Sequence, residues 1–404
     1  MSVRYAASSI PVPVERLGQK TLTLERGAGV VGVLALLIGC GAFFLGNRDQ
    51  FFQSYLLALI YWAGFSLGGL GVLLMHHTVG GRWGVTIRRL LEAEMRTLPL
   101  IALLLVPIFL FGLSALYPWA RPEEVARTPV LQHKQGFLNV PFFIARTAIY
   151  FVVWLFWGWR VSRMADKQDE TGDPTLRERM RAFSAPGVLV FVLTASFAYI
   201  DWLLSADAQF YSTIYGAMIL IGDVLQTFAL SIIVLVLVSG KDGFQGRVNS
   251  KVLHDLGNLM FAFVIFWTYL SVSQLIIVWP ANLPQELYWY LARVHGFWKY
   301  VTITIALTMF ALPFLLLLSQ ERKRNPIRLM RVAVFILFAR IIDLFWIIEP
   351  TYRRNGSSLS WTDPVLFIGV GGIWIYYFMY QLRRRPLLPL QDARIAPPVL
   401  EAAR

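Results

Sequence analysis

Cysteine is nearly absent: Cys40 stands alone among 404 residues, inside an apolar run. A single thiol excludes an intrachain disulfide, a thiolate metal site and an iron–sulfur cluster ligated by this chain alone. Charge is scarce as well. Asp, Glu, Lys and Arg make up 15% of the chain, where soluble domains carry about 25%. Hydrophobic residues reach 57%, more than a soluble protein of this length can hide, so lipid is the solvent for most of the molecule. No phosphate-cradling glycine loop, HExxH pair or nucleophile elbow stands in a fitting context, which removes the commonest nucleotide-binding and hydrolytic chemistries.

What is present is a series of apolar runs of about 20 residues, the length a helix needs to cross about 30 Å of hydrocarbon. They fall at 27–45, 51–75, 98–116, 140–160, 185–204, 213–239, 258–279, 298–318, 329–349 and 361–381. The pattern predicts an all-α integral membrane protein of about ten transmembrane helices. A polar arm (1–26) precedes the membrane domain (27–381), and a polar tail (382–404) follows it. The first run does not read as a cleavable signal, because of that arm and because no small-residue cleavage site follows.

The formal charge of +13 suits nucleic acid at first sight, but its placement argues otherwise. The two termini and the loops on their side hold 27 Lys and Arg, and the opposite loops hold 8. That bias predicts cytoplasmic termini and makes the positive charge a topology signal, with no nucleic-acid partner. The loop 164–181 carries charges of both signs and reads as a solvated connection. The loop 117–139 is the longest on the outer side and is a reasonable docking surface for an extrinsic partner.

An ionisable side chain at membrane depth costs a few kcal/mol, so each is a functional candidate. Asp201 and Glu349 stand near the outer ends of spans five and nine, and Asp343 lies deeper. Arg340 and Asp223 are near the centre, and His76 and His77 close span two at the inner face. Arg146 lies about two turns below the outer surface. It suits a counter-ion to one of the acids, though the sequence does not say which. Arg340 and Asp343 are three apart, share a face and can pair, either as a working element or as a structural ion pair. Asp201 and Glu349 are close enough to an interface to be wetted in a structural role. Asp223 has no basic neighbour in its own span. A series of titratable groups staggered in depth suits a proton path, because each hop needs a nearby donor and acceptor or a bridging water.

Polar residues gather in the outer half of spans seven and eight. Tyr269, Ser271, Ser273 and Gln274 are followed by His295, Lys299, Thr302 and Thr304. Trp279, Trp289 and Trp298 flank them and read as interfacial belt residues. Hydroxyls and amides among aromatic rings would also grip a quinone headgroup, which makes Ser273, Gln274, His295, Lys299 and Trp202 candidates. None of the five histidines, His76, His77, His133, His254 and His295, is at mid-membrane depth, so no haem is expected inside the membrane. No metal site and no certain catalytic residue emerges. Any electrons must be carried by a partner.

Several strings carry a family likeness. They are YIDWLLS at 199–205 with Asp201 and Trp202, the pair Ser273-Gln274, the run WPANLPQE at 279–286, and the segment 288–300 with His295, Trp298 and Lys299. Together with the ten-span layout, this resembles the NrfD/polysulfide-reductase-type integral membrane subunits. Within them it is most similar to the ActF subunits of alternative complex III, a bacterial quinol:electron-acceptor oxidoreductase.

The resemblance implies two four-helix bundles side by side with two further helices, in the bacterial inner (cytoplasmic) membrane. It implies an extrinsic iron–sulfur subunit, multihaem and monohaem cytochrome c subunits, and a homologous NrfD-like membrane subunit where quinol oxidation is expected. Haem and iron–sulfur centres would then belong to partners only. Nothing would be covalently bound to this chain, and menaquinone or ubiquinone and lipids would be its non-covalent ligands. The role implied for this chain is a proton path through Asp201, Asp223 and Asp343, with Arg146 and Arg340 as their partners. Two other readings stay open. A stand-alone secondary transporter would also use buried charges, although no matching pair of interrupted spans is visible. A purely structural anchor for redox subunits would leave the acids without function.

Overall fold

The computed structural model describes residues 19–45, 48–239, 249–281, 284–353 and 359–389. Most of the N-terminal arm (1–18), the tail from 390 and residues 282–283 of the run at 279–286 lie outside them. The described elements are helices. The chain runs through α1 (Gln19–Phe44), α2 (Arg48–Val79), α3 (Arg82–Met95), α4 (Leu98–Pro107) and α5 (Leu113–Leu116). Short α6 (Pro122–Arg127) and α7 (Pro129–Lys134) lead to α8 (Val140–Thr171) and α9 (Thr175–Trp202). Then follow α10 (Tyr215–Val238), α11 (Ser250–Ala281), α12 (Pro284–Val294), α13 (Gly296–Ile305), α14 (Leu312–Leu318), α15 (Gln320–Arg324), α16 (Pro326–Tyr352) and α17 (Thr362–Arg383).

Nine helical stretches among the described residues are long and apolar enough to cross a membrane. Helix α16, 27 residues long, joins them in the packing but holds Arg340, Asp343 and Glu349. The protein is an all-α, multi-pass membrane protein of about ten helices. Helix α2 is the axis: 89% of its apolar stretch is buried, against 17% for peripheral α1. It packs against the span that α3, α4 and α5 form together (Arg82–Leu116) and against α9, and α8 packs on α9 and α4, which makes one group of four spans. Helices α10, α11, α13–α14 and α16 make the second, and the groups meet along α2, α9 and α10. Helix α17 lies against α2 with α1 outside it. There a Cβ on Gly32 would stand 2.6 Å from Ile373 N, so this close backbone approach requires glycine. Arg383 binds Glu25 through Nε and Nη2, both at 3.1 Å, which brings the two ends of the described chain to one face, here the terminal face.

The helices depart from the expected spans in three ways. The connection after span two is no open loop but the buried amphipathic helix α3, whose Arg88, Arg89, Glu92 and Glu94 are inside the protein. The solvated connection expected at 164–181 shrinks to a turn at 172–174, because α8 and α9 continue through most of it. Gly172 ends α8 at φ 65°, a left-handed conformation that favours glycine. Two spans are also interrupted by π-helical turns, at Ile108–Gly112 after Pro107 and at Ala306–Ala311 before Pro313. They sit in the second helix of one group and the third of the other, so they are not counterparts in chain order. Trp289 and Trp298 are core residues at 2% exposure each, and Trp279 alone of the three keeps a belt position at 51%.

Candidate functional site

Asp223 of α10, Arg340 and Asp343 of α16, and Tyr199 of α9 converge where the two helix groups meet, and all four are buried. Arg340 Nη2 donates to Asp223 Oδ1 at 3.1 Å and to the carbonyl of Ile219 at 2.9 Å. Its Nη1 donates to Asp343 Oδ2, and the Tyr199 hydroxyl donates to Asp223 Oδ2. One guanidinium thus bridges two carboxylates, which offsets the desolvation that a lone charge would suffer here. The bridge needs space. A Cβ on Gly222 would stand 2.3 Å from Arg340 Cζ, and one on Gly64 of α2 would stand 2.6 Å from Asp223 Oδ1.

From Asp223 a polar seam continues along α2 and α10 toward the terminal face. Gln226, one turn on, donates to the Tyr61 carbonyl at 3.0 Å. Thr227 faces Gly68, where a Cβ would be 2.2 Å from its Oγ1. Beside it is Glu94, fully buried, whose Oε2 would stand 3.1 Å from a Cβ on Gly69 and whose carboxyl lies within hydrogen-bonding reach of Thr227. Below lies a charged cluster on α3. Arg88 Nε and Arg89 Nη1 hold Glu92 at 3.0 and 2.6 Å, Arg88 Nη1 reaches Gln168 at 2.9 Å, and Arg89 also binds Asp169. Arg385 joins through Asp166. His76 is buried against Trp83, and His77 lines a cavity of about 250 Å³ with Arg177, Glu178 and Arg181.

No family model and no curated protein matches this chain.

The remaining acids lie apart from this seam. Asp201 is two residues from Tyr199 on α9, yet it turns to α8 rather than α10. Arg146 Nε and Nη2 grip its two oxygens at 2.8 Å each, and the Tyr150 hydroxyl donates to it at 2.8 Å. The guanidinium also stacks on Phe137 at 3.9 Å and donates to the Phe137 carbonyl at 2.8 Å. The partner of Arg146, which the sequence left open, is Asp201. Glu349 belongs to another group, with Arg353 Nε 2.9 Å from its Oε2. Arg353 also grips Asp363 at 3.0 and 2.8 Å, and Ser54 donates to Asp363 at 2.5 Å, so this cluster ties α16 to α17 and α2.

The quinone candidates do not assemble around one cavity. Ser273 is half-buried, while Gln274 accepts from Ser212 at 2.6 Å. His295 and Lys299 are exposed at and beyond the turn from α12 into α13. Trp202 is buried among Phe151, Trp154 and Tyr199 and donates to Thr147 at 3.3 Å. Sequence reasoning also missed members of the seam, chiefly Glu94 with Glu92, Arg88 and Arg89. They lie in a charged segment that reads as a loop by density of charge. Its amphipathic spacing, with Val85, Leu90 and Leu91 among the charges, was the available signal.

Proposed function

We propose that this chain is the ActF-type membrane subunit of a quinol-oxidising complex of the alternative complex III kind, seated in the bacterial inner membrane, and that it carries protons along the Asp223 seam. The observation that supports this most is one arginine shared by two buried carboxylates, with Tyr199 donating to one of them. Two acids competing for one cation can exchange it as one of them gains or loses a proton, which makes the trio bistable. A closed pair such as Arg146–Asp201 has no such freedom. Gln226, Thr227 and Glu94 extend the trio toward the terminal face, and His77 and its cavity stand at the end of α2 there. With cytoplasmic termini, protons would be taken up at that face. The electrons stay on partners: an extrinsic iron–sulfur subunit, cytochrome c subunits and a homologous membrane subunit that oxidises the quinol.

The test is quinol-driven proton movement in vesicles holding the purified complex, wild type against Asp223→Asn. Continued quinol turnover with diminished proton uptake from the cytoplasmic side is the expected result. Unchanged turnover and uptake in an intact complex would make the trio structural and the chain an anchor. Purification without haem- or iron–sulfur-bearing partners would favour a stand-alone transporter.

A further inference from the structure

At the terminal face a cavity of about 560 Å³ opens where α14 ends and α16 begins. Three arginines line it, Arg322 of α15 with Arg328 and Arg331 of α16, together with Leu316, Val332 and Phe335. No carboxylate is among these lining residues. Arg328 and Arg331 are three apart and share one face of α16, which Val332 and Phe335 continue toward the hydrocarbon. Glu321 meets Arg328 Nη1 at 2.6 Å. Among the described residues, no acid forms an ion pair with Arg322 or Arg331.

The segment that carries these side chains is fixed in place. Lys323 is buried, its Nζ donates to Asn258 Oδ1 at 2.7 Å, and a Cβ on Gly257 would stand 2.9 Å from its Cγ. Helix α15 is thereby pinned to α11. Asn325 accepts from the backbone N–H of Arg328 at 3.0 Å and so caps α16. Leu315, Leu318 and Phe338 nearby are exposed apolar side chains, so the cavity sits where the helices leave the hydrocarbon. A charge bias for topology accounts for arginines spread into water. It does not account for three turned into one hollow with an apolar wall.

We infer that this cavity binds phosphate at the membrane interface. Guanidinium groups match phosphate oxygens with paired N–H donors, and such charge-assisted bonds are stronger than neutral ones. Basic hollows between spanning helices on the cytoplasmic side are suited to anionic headgroups for this reason. A lipid headgroup and dissolved phosphate offer the same oxygens. Leu316, Val332 and Phe335 favour the lipid, because its glycerol and first acyl carbons can lie on them while dissolved phosphate leaves them bare. This site is separate from the proton seam and does not depend on it.

The test uses the purified complex in phosphatidylcholine nanodiscs doped with a phosphatidylglycerol that carries a diazirine on its acyl chain. Cross-linked peptides are mapped, with unlabelled phosphatidylglycerol, added phosphatidylcholine or inorganic phosphate as competitor. Labelling should fall within 312–338 and be displaced by phosphatidylglycerol but not by phosphatidylcholine. Arg322→Gln and Arg331→Gln alter exposed side chains and should each reduce labelling by about three- to tenfold. Arg324→Gln removes an equally exposed charge outside the cavity and should leave labelling unchanged. A site without lipid label, but with a phosphate-dependent rise in melting temperature that Arg331→Gln abolishes, makes dissolved phosphate the source. Displacement by phosphatidylcholine, full labelling in both Arg322→Gln and Arg331→Gln, or an equal loss in Arg324→Gln overturns the inference. Cross-linking of 322–331 to a partner polypeptide with no lipid labelled there also overturns it, because the hollow is then a protein contact.

Discussion

Arg146 and Arg340 show how two buried arginines, one in each helix group, take different roles. Arg146 spends its donors on one carboxylate and one carbonyl, and aromatic rings cover it. Such a pair is a lock. Arg146→Leu should destabilise the protein by about 3–5 kcal/mol by leaving Asp201 buried without its partner. The fall should appear in thermal unfolding in detergent, with proton uptake per quinol unchanged in the surviving complex. Arg340 is divided between Asp223 and Asp343. Glu94 offers the matching test below it: Glu94→Gln keeps the volume and removes the titratable group. Proton uptake should drop as in Asp223→Asn, with little change in melting temperature, and uptake equal to wild type would remove Glu94 from the path.

At the scale of elements, the seam exists because α2 presents glycine at the positions facing α10 and α3. Gly64, Gly68 and Gly69 leave room for Gln226, Thr227 and Glu94, and every added Cβ would meet one of these within 2.6 Å. Gly68→Ala forces Thr227 or the backbone of Asp223 to move, at a cost of about 1–3 kcal/mol for overpacking. A lowered unfolding temperature together with weaker proton coupling is the expected outcome. Destabilisation with coupling unchanged would mean the glycines serve packing alone. Helix α3 has the complementary part, since it carries charge under the helix ends, where a plain loop would have left the seam open to water.

For the whole molecule, the two helix groups place different polar machinery in different seams. The first group encloses the Arg146–Asp201 lock, the boundary holds the Asp223 trio, and the second group holds the arginine-lined cavity. The orientation that makes the seam a path for uptake is itself open to test. In a Cys40→Ser background, Glu123→Cys should react with a membrane-impermeant maleimide added to intact spheroplasts. Glu178→Cys, also exposed but on the terminal face, should react only after lysis. The reverse pattern would invert the topology and the direction of proton flow.

The membrane environment, the helical class and the rough position of about ten spans were all legible in the chain, because hydropathy is a local property and each run of about 20 apolar residues declares itself. The candidate acids were legible for the same reason, since charge in such a run is costly wherever it occurs. What the sequence could not supply was partnership. Asp223 and Arg340 are 117 residues apart, and Arg146 and Asp201 are 55 apart. Only helix packing decides that Tyr199 turns to one neighbour and Asp201 to another. Packing likewise buried α3, whose charges satisfy one another and residues of α8 in a way that composition disguised as a loop. It also brought Leu316 of α14 and Arg322 of α15 to the cavity that Arg328 and Arg331 of α16 line, an approach that no local pattern records.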